Sequence, residues 1–296
     1  MMLSGILLGF TAAVFQSLSY LFTRWFVTRH ERSAVALLVM GHIMMGTMSL
    51  VALPVLWPES MPPLRSYVWP LVLATLFYLA GQSTLTITLQ RTQASRIAPL
   101  LGLKVFILAA ISMLFLDTVL SLNQWLAVGL SVAAAVLLSQ LGGAMSPAAI
   151  GGILFACVGY SLSDINIRRL VLHFDNLSLA HATALGVCQI YLISGIVALV
   201  GLSRTYSRTM WLHAAPYALS WFAAMFFLFA TFATIGVVYG NIIQSSRGLI
   251  SIGLGLLVAR YGMVSIEKHV GAATATRRAI AAVLMTAAIV LFYMGA

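Results

Sequence analysis

Charged side chains are scarce in this sequence. Sixteen Lys and Arg with six Asp and Glu make up 7% of 296 residues, where soluble domains carry about 25%. So few ionisable groups cannot coat a folded chain of this size, which excludes a water-soluble globular enzyme. Carboxylates are rarer still, and no two stand at helical spacing for acid–base chemistry. HExxH, GxSxG and Walker A patterns are missing as well, so no enzyme is expected, and without a nucleotide-binding segment neither is a primary pump. There are only two cysteines. Cys157 and Cys188 both fall inside apolar runs, so they form neither a disulfide framework nor a metal cluster. No metal and no cofactor is expected. The 23 glycines have no period, and no basic run interleaves with aromatics. Collagen-like repetition and a nucleic-acid partner are thereby excluded.

What the chain has instead is apolar length. The apolar share is 61% and the mean hydropathy +1.03. A membrane-spanning helix needs about 20 such residues, and about ten runs qualify: 3–26, 34–57, 67–89, 96–116, 120–141, 148–168, 177–201, 216–238, 242–260 and 275–295. Turn chemistry separates them, as at Pro58-Glu59-Ser60 and Gly142-Gly143. The expectation is an all-α integral membrane protein with about ten transmembrane helices. Its place is the cell membrane (the inner membrane in a bacterium), with the lipid bilayer as one partner. The first run lacks a positive segment before it, so it reads as a retained helix rather than a cleaved leader.

The runs repeat. "QSLSYLFTRWFV" at 16–27 matches "YSLSDINIRRLV" at 160–171, an offset of 144. Val51-Ala52-Leu53 answers Val197-Ala198-Leu199. Ala74, Phe77, Ala80 and Thr84 answer Ala224, Phe227, Ala230 and Thr234 at an offset of 150. Gln93, Ser95 and Arg96 answer Gln244, Ser246 and Arg247 at 151, and Ala134, Ala135 and Leu138 answer Ala287, Ala288 and Leu291 at 153. The chain therefore divides into two five-helix repeats, 1–144 and 145–296. Five is odd, so the second copy must enter the membrane inverted. Two inverted repeats can rock about a site near the bilayer midplane, which is a transporter architecture.

The segment "LQRTQASRIAPLLGLKVFILAAISMLFLDTVLSLNQWLAVGLSVAAAVLL" at 89–138 resembles the drug/metabolite transporter superfamily, in its ten-helix EamA-like branch. Leu116-Asp117 stands where that family often has Gly-Glu. Lys104, near a usual Glu or Pro, and "QSSRGL" at 244–249 depart from the pattern. The resemblance implies a ten-helix bundle and export or exchange of small metabolites.

Charge inside the apolar runs marks the candidate site. A central Lys costs at least about 2.5–3.5 kcal/mol to insert, so Lys104 should face protein or water. Gln93, Arg96 and Lys104 share one face of the fourth run. Asn241, Gln244, Arg247 and Ser251 share one face of the ninth. Both faces turn toward a common cavity, where the cations would bind a carboxylate or phosphate. Arg96 and Arg247 could equally anchor helix ends. Asp164 is the only carboxylate deep inside a run, and it could pair with Lys104, meet a substrate amine or carry a coupling proton. Tyr160 lies one turn from it, and their repeat mates are Gln16 and Tyr20. Tyr78 and Gln82 on the third run complete the proposed lining, with His42 on the second either lining or packing. The expected function is a secondary active transporter, exporter or exchanger, of a small polar metabolite carrying an anionic group, working by alternating access. A lipid-linked substrate carrier or flippase is the alternative. Monomer and homodimer are both open.

Orientation is divided. Arg24, Arg29, Arg32, Arg91, Arg96, Arg204, Arg208, Arg260, Lys268, Arg277 and Arg278 fall on one side, and Arg65, Arg168 and Arg169 on the other. The positive-inside rule makes the first side cytoplasmic and both termini external, whereas the resemblance implies cytoplasmic termini.

Overall fold

A computed structural model describes residues 2–30, 34–91, 101–115, 119–139, 146–260 and 272–295. Among these, eleven α-helices follow one another: α1 (Met2–His30), α2 (Ala34–Leu56), α3 (Leu64–Arg91), α4 (Leu103–Phe115), α5 (Leu122–Ser139), α6 (Pro147–Leu172), α7 (Leu179–Ala198), α8 (Arg208–Ile235), α9 (Val237–Ser245), α10 (Arg247–Arg260) and α11 (Ala272–Met294). Six of them (α1, α2, α3, α6, α7 and α8) are long and apolar enough to cross a bilayer. Shorter apolar stretches occupy α4, α5 and α11. The protein is an all-α membrane protein.

Local chemistry sets several boundaries. Ser146, Ser178 and Ser207 each accept a hydrogen bond on Oγ from the backbone N–H three residues on, so α6, α7 and α8 start with a capped amide. Pro147 fits the first turn of α6, where no donor is needed. Gly236 has φ +81°, a conformation that a Cβ disfavours, and it separates α8 from α9.

Large apolar side chains lie on the outside, Val51 at 71% exposure and Val55 at 86% among them. Gln16, Ser17, Ser19, Ser161, Ser163 and Asp164 are buried instead. Water would not tolerate that distribution, but hydrocarbon requires it, because lipid satisfies no hydrogen bond.

The bundle is held by four antiparallel pairs. α1 packs on α8, α3 on α6, α2 on α7 and α5 on α11. Along the first, Phe15 stacks on Phe227 at 5.7 Å and His30 Nε2 meets His213 Nδ1 at 2.8 Å. Along the second, Ser163 Oγ donates to Ala74 O at 2.8 Å and Tyr67 meets Phe174 edge-on. Exchanging α1–α5 with α6–α11, with α9 and α10 taken together, turns the α1–α8 pair into α6–α3 and returns α2–α7 and α5–α11 to themselves. A self-paired antiparallel couple can be related by a two-fold axis only if that axis runs across the helices.

Three expectations need correction. The run at 242–260 is not one helix but α9 and α10, with a break at Ser246. The fourth run was expected from 96; its helix starts at Leu103 after a turn at Leu101-Gly102, and 96–100 lie outside the described residues. The repeat register also differs. α3 and α8 are both 28 residues long and start at Leu64 and Arg208, which is an offset of 144 rather than 150. Matches between small and aromatic residues in apolar runs recur by composition alone, so they fixed the register poorly.

At the α2–α7 crossing the backbones touch. A Cβ on Gly46 would lie 2.8 Å from Gly195 Cα, and one on Gly195 would lie 2.9 Å from His42 O. Small residues permit that approach. We expect Gly46→Leu to destabilise the protein by about 1–3 kcal/mol, read as a lower thermal midpoint in detergent. Gly129→Leu should leave the midpoint unchanged, because nothing lies within 4 Å of a Cβ there.

Candidate functional site

Two cations begin helices in the middle of the bundle. Lys104 is the second residue of α4, just after the turn at 101–102, and Arg247 is the first residue of α10, just after the break at Ser246. The repeated Ser-Leu-Ser segments reach both. Ser17 Oγ on α1 donates to Arg247 O at 3.0 Å. Its repeat mate on α6, Ser161, places Oγ 3.5 Å from Lys104 O, at the limit of hydrogen-bond reach. Lys104 and Arg247 thus occupy equivalent places, 143 residues apart. The sequence match had instead coupled Arg247 to Arg96, which lies outside the described residues.

The equivalence extends to the side chains. Lys104 Nζ stands 2.6 Å from Asp164 Oδ2 and 5.5 Å from the Tyr160 ring centroid. In the other copy, Arg247 Cζ stands 5.9 Å from the ring centroid of Tyr20, the mate of Asp164. The mate of Tyr160 is Gln16, and its Oε1 accepts a hydrogen bond from an Arg247 terminal nitrogen at 3.0 Å. One geometry is therefore built twice with different charges. The α4 cation faces a carboxylate; the α10 cation faces a phenol ring and an amide, and among the described residues it makes no ion pair.

Further bonds fix the frame. Asn241 Nδ2 on α9 donates to the same Asp164 oxygen at 2.7 Å. Gln244 Nε2 donates to Gln16 Oε1 at 3.0 Å, and the Tyr160 hydroxyl donates to Gln82 Oε1. The ion pair is desolvated, with side-chain exposures of 9% and 6%. Isolated charges at that depth are expensive, whereas a pair with added hydrogen bonds is tolerated.

These groups line one cavity with an empty volume of about 910 Å³, mouth included. Of the ten residues expected at the site, nine line it: Gln16, Tyr20, Tyr78, Gln82, Lys104, Tyr160, Asp164, Gln244 and Arg247. His42 does not. It is buried behind the wall, where Nδ1 donates to Leu38 O at 2.8 Å and Nε2 accepts from the Tyr78 hydroxyl at 2.8 Å. With both ring nitrogens engaged, it serves as a brace for Tyr78.

Sequence reasoning missed Tyr217 and Trp221, one turn apart on α8, which form much of the wall. An aromatic pair at that spacing was visible, but inside an apolar run it counted as ordinary hydrophobicity. Asn241 was placed on the right face without its role as a partner of Asp164.

The lining also has a direction. It reaches Thr23 on α1 and Ala34 on α2, near the cation-rich end of the bundle. Toward the other end, a Cβ on Gly9 of α1 would fall 2.9 Å from Ile243 Cγ2 and 3.3 Å from Thr231 Cγ2, so the helices are tightly packed there.

Residues 3–140 match the model of the EamA-like transporter family. The first half of the chain is an EamA-like transporter domain. That family consists of transporters, not enzymes. A solved crystal structure of a protein resembles this chain with a TM-score of 0.70 and 16% identity, over 98% of this chain and 96% of its own. At that identity the likeness concerns the fold alone. No curated protein matches the sequence. Residues 3–140 supply Gln16, Tyr20, Tyr78, Gln82 and Lys104 to the cavity, with apolar and threonine lining beside them, and the second half of the chain supplies Tyr160, Asp164, Gln244, Arg247 and the aromatic wall of α8.

The Lys104–Asp164 pair should show as coupling in a double-mutant cycle. Lys104→Met and Asp164→Asn each strand a buried charge and should each cost on the order of 3 kcal/mol. The double variant should recover most of that loss, measured by chemical unfolding in detergent micelles.

Proposed function

We propose that the protein is a secondary active transporter, an exporter or exchanger, of a small polar metabolite carrying an anionic group. It works by alternating access at the cavity between two inverted five-helix repeats, 1–144 and 145–296. Arg247 supports this reading most strongly. Its cation lines a cavity in the middle of an apolar bundle and lacks a carboxylate partner among the described residues. A substrate anion would supply the missing charge and would be read by Gln16, Gln244 and Tyr20 around the guanidinium. The start of α10 at Arg247 adds the positive end of a helix dipole to the same spot.

Lys104 and Asp164 have a different part in this scheme. Their charges cancel, so the pair can stay buried while the halves rock. A proton on Asp164 would release Lys104, which makes this carboxylate the coupling candidate. The four-pair packing supports the repeat division, since it is unchanged when the halves are exchanged. With its lining directed to the cation-rich end, the cavity faces the cytoplasm if the positive-inside rule holds.

The test is uptake from a mixed pool of organic anions by liposomes containing the purified protein, read by mass spectrometry. We expect saturable uptake, lost by at least about a hundredfold in Arg247→Gln while the variant remains monodisperse. Uptake no greater than in protein-free liposomes, or unaltered uptake by the variant, would contradict the proposal.

A further inference from the structure

The balance of charge and the character of the walls narrow the substrate further, on the premise that the cavity is the transport site. Among the described residues, three ionised groups line it. Lys104 and Asp164 cancel at 2.6 Å, leaving one positive charge on Arg247. A buried site is most stable when its charges sum to zero with the ligand present. One negative charge achieves that and two exceed it. An ammonium group would need a carboxylate of its own, and Asp164 is already held by Lys104 and by Asn241 at 2.7 Å.

Beside Arg247 the wall is aromatic. Tyr20 and Trp221 meet edge-to-face at 6.3 Å, and Tyr217 follows at 6.1 Å from Trp221. Met225 and Leu228 extend this surface along α8. Two polar edges in the wall are engaged elsewhere: Trp221 Nε1 donates to the Tyr191 hydroxyl at 2.7 Å, and the Tyr78 hydroxyl bonds to His42. Neither therefore requires anything from a ligand, and an aromatic body can stack on the Trp221 ring without stranding its N–H.

We infer that the cavity selects small monoanions with an aromatic or bulky apolar body, and discriminates against zwitterions, dianions and small inorganic anions. Arg247 takes the carboxylate, and the Tyr20–Trp221–Tyr217 wall takes the body.

A series differing by one group at a time tests this on the unaltered protein at pH 7, with thermal stabilisation as the readout. 3-Phenylpropanoate is the expected best ligand. Phenylalanine adds an ammonium, phenylsuccinate adds a carboxylate, propanoate lacks the ring and inorganic phosphate lacks any apolar body. Each of the four should bind at least about tenfold more weakly. Asp164→Asn leaves Lys104 uncompensated, so its preference should move toward phenylsuccinate by about tenfold. Equal or tighter binding of phenylalanine, phenylsuccinate, propanoate or phosphate by the unaltered protein would overturn the inference. So would an unchanged preference in the folded variant. Should the variant not fold, the series on the unaltered protein decides alone. Liposomes that carry some other solute, with no member of the series bound, overturn only this selectivity; liposomes that carry nothing bring down the transporter reading itself.

Discussion

The Lys104–Asp164 ion pair is the constraint around which the bundle is arranged. An ammonium and a carboxylate can lie inside an apolar bundle only when they meet, and here they meet at 2.6 Å. That contact ties α4 to α6. Asn241 extends it to α9, and Ser161 approaches the backbone of Lys104 itself.

The duplicated geometry gives the pair a second consequence. Where α6 carries Tyr160 and Asp164, α1 carries Gln16 and Tyr20, and where α4 carries Lys104, α10 carries Arg247. A perfectly symmetric site would be neutral on both sides. Replacing one carboxylate by a phenol leaves a cation that is braced by an amide oxygen and a ring face and has no carboxylate partner among the described residues. Under the proposed reading, the charge asymmetry that favours an anion comes from one exchange, Asp164 against Tyr20.

Much of this was legible in the sequence. The apolar runs are long because each must span a bilayer, and they placed the helices to within a few residues in most cases. The Ser-Leu-Ser repeat was conspicuous because Ser17 and Ser161 each have a carbonyl to reach, and Ser163 holds α6 to α3. Rare charges within those runs pointed to Lys104, Arg247 and Asp164 for a simple electrostatic reason. The helix breaks were harder to see. Ser246 carries no Pro or Gly signal, and its backbone stays in the helical region at φ −62°. Without the breaks, Lys104 could not be recognised as the counterpart of Arg247. Tyr217 and Trp221 stayed hidden because aromatic residues serve equally as lipid-facing bulk, packing and cavity wall. Only tertiary placement separates those roles, and it likewise moved His42 from the lining to a brace behind Tyr78.

The central claim is that the ion pair occupies Lys104 and leaves Arg247 to receive the substrate anion. The most direct measurement is a crystallographic or cryo-electron microscopic structure with 3-(4-bromophenyl)propanoate bound. The account predicts the carboxylate against the Arg247 guanidinium, the bromophenyl ring on Tyr217 and Trp221, and an unbroken Lys104–Asp164 contact. A carboxylate seated on Lys104 with Asp164 displaced, or density outside the cavity altogether, would contradict it.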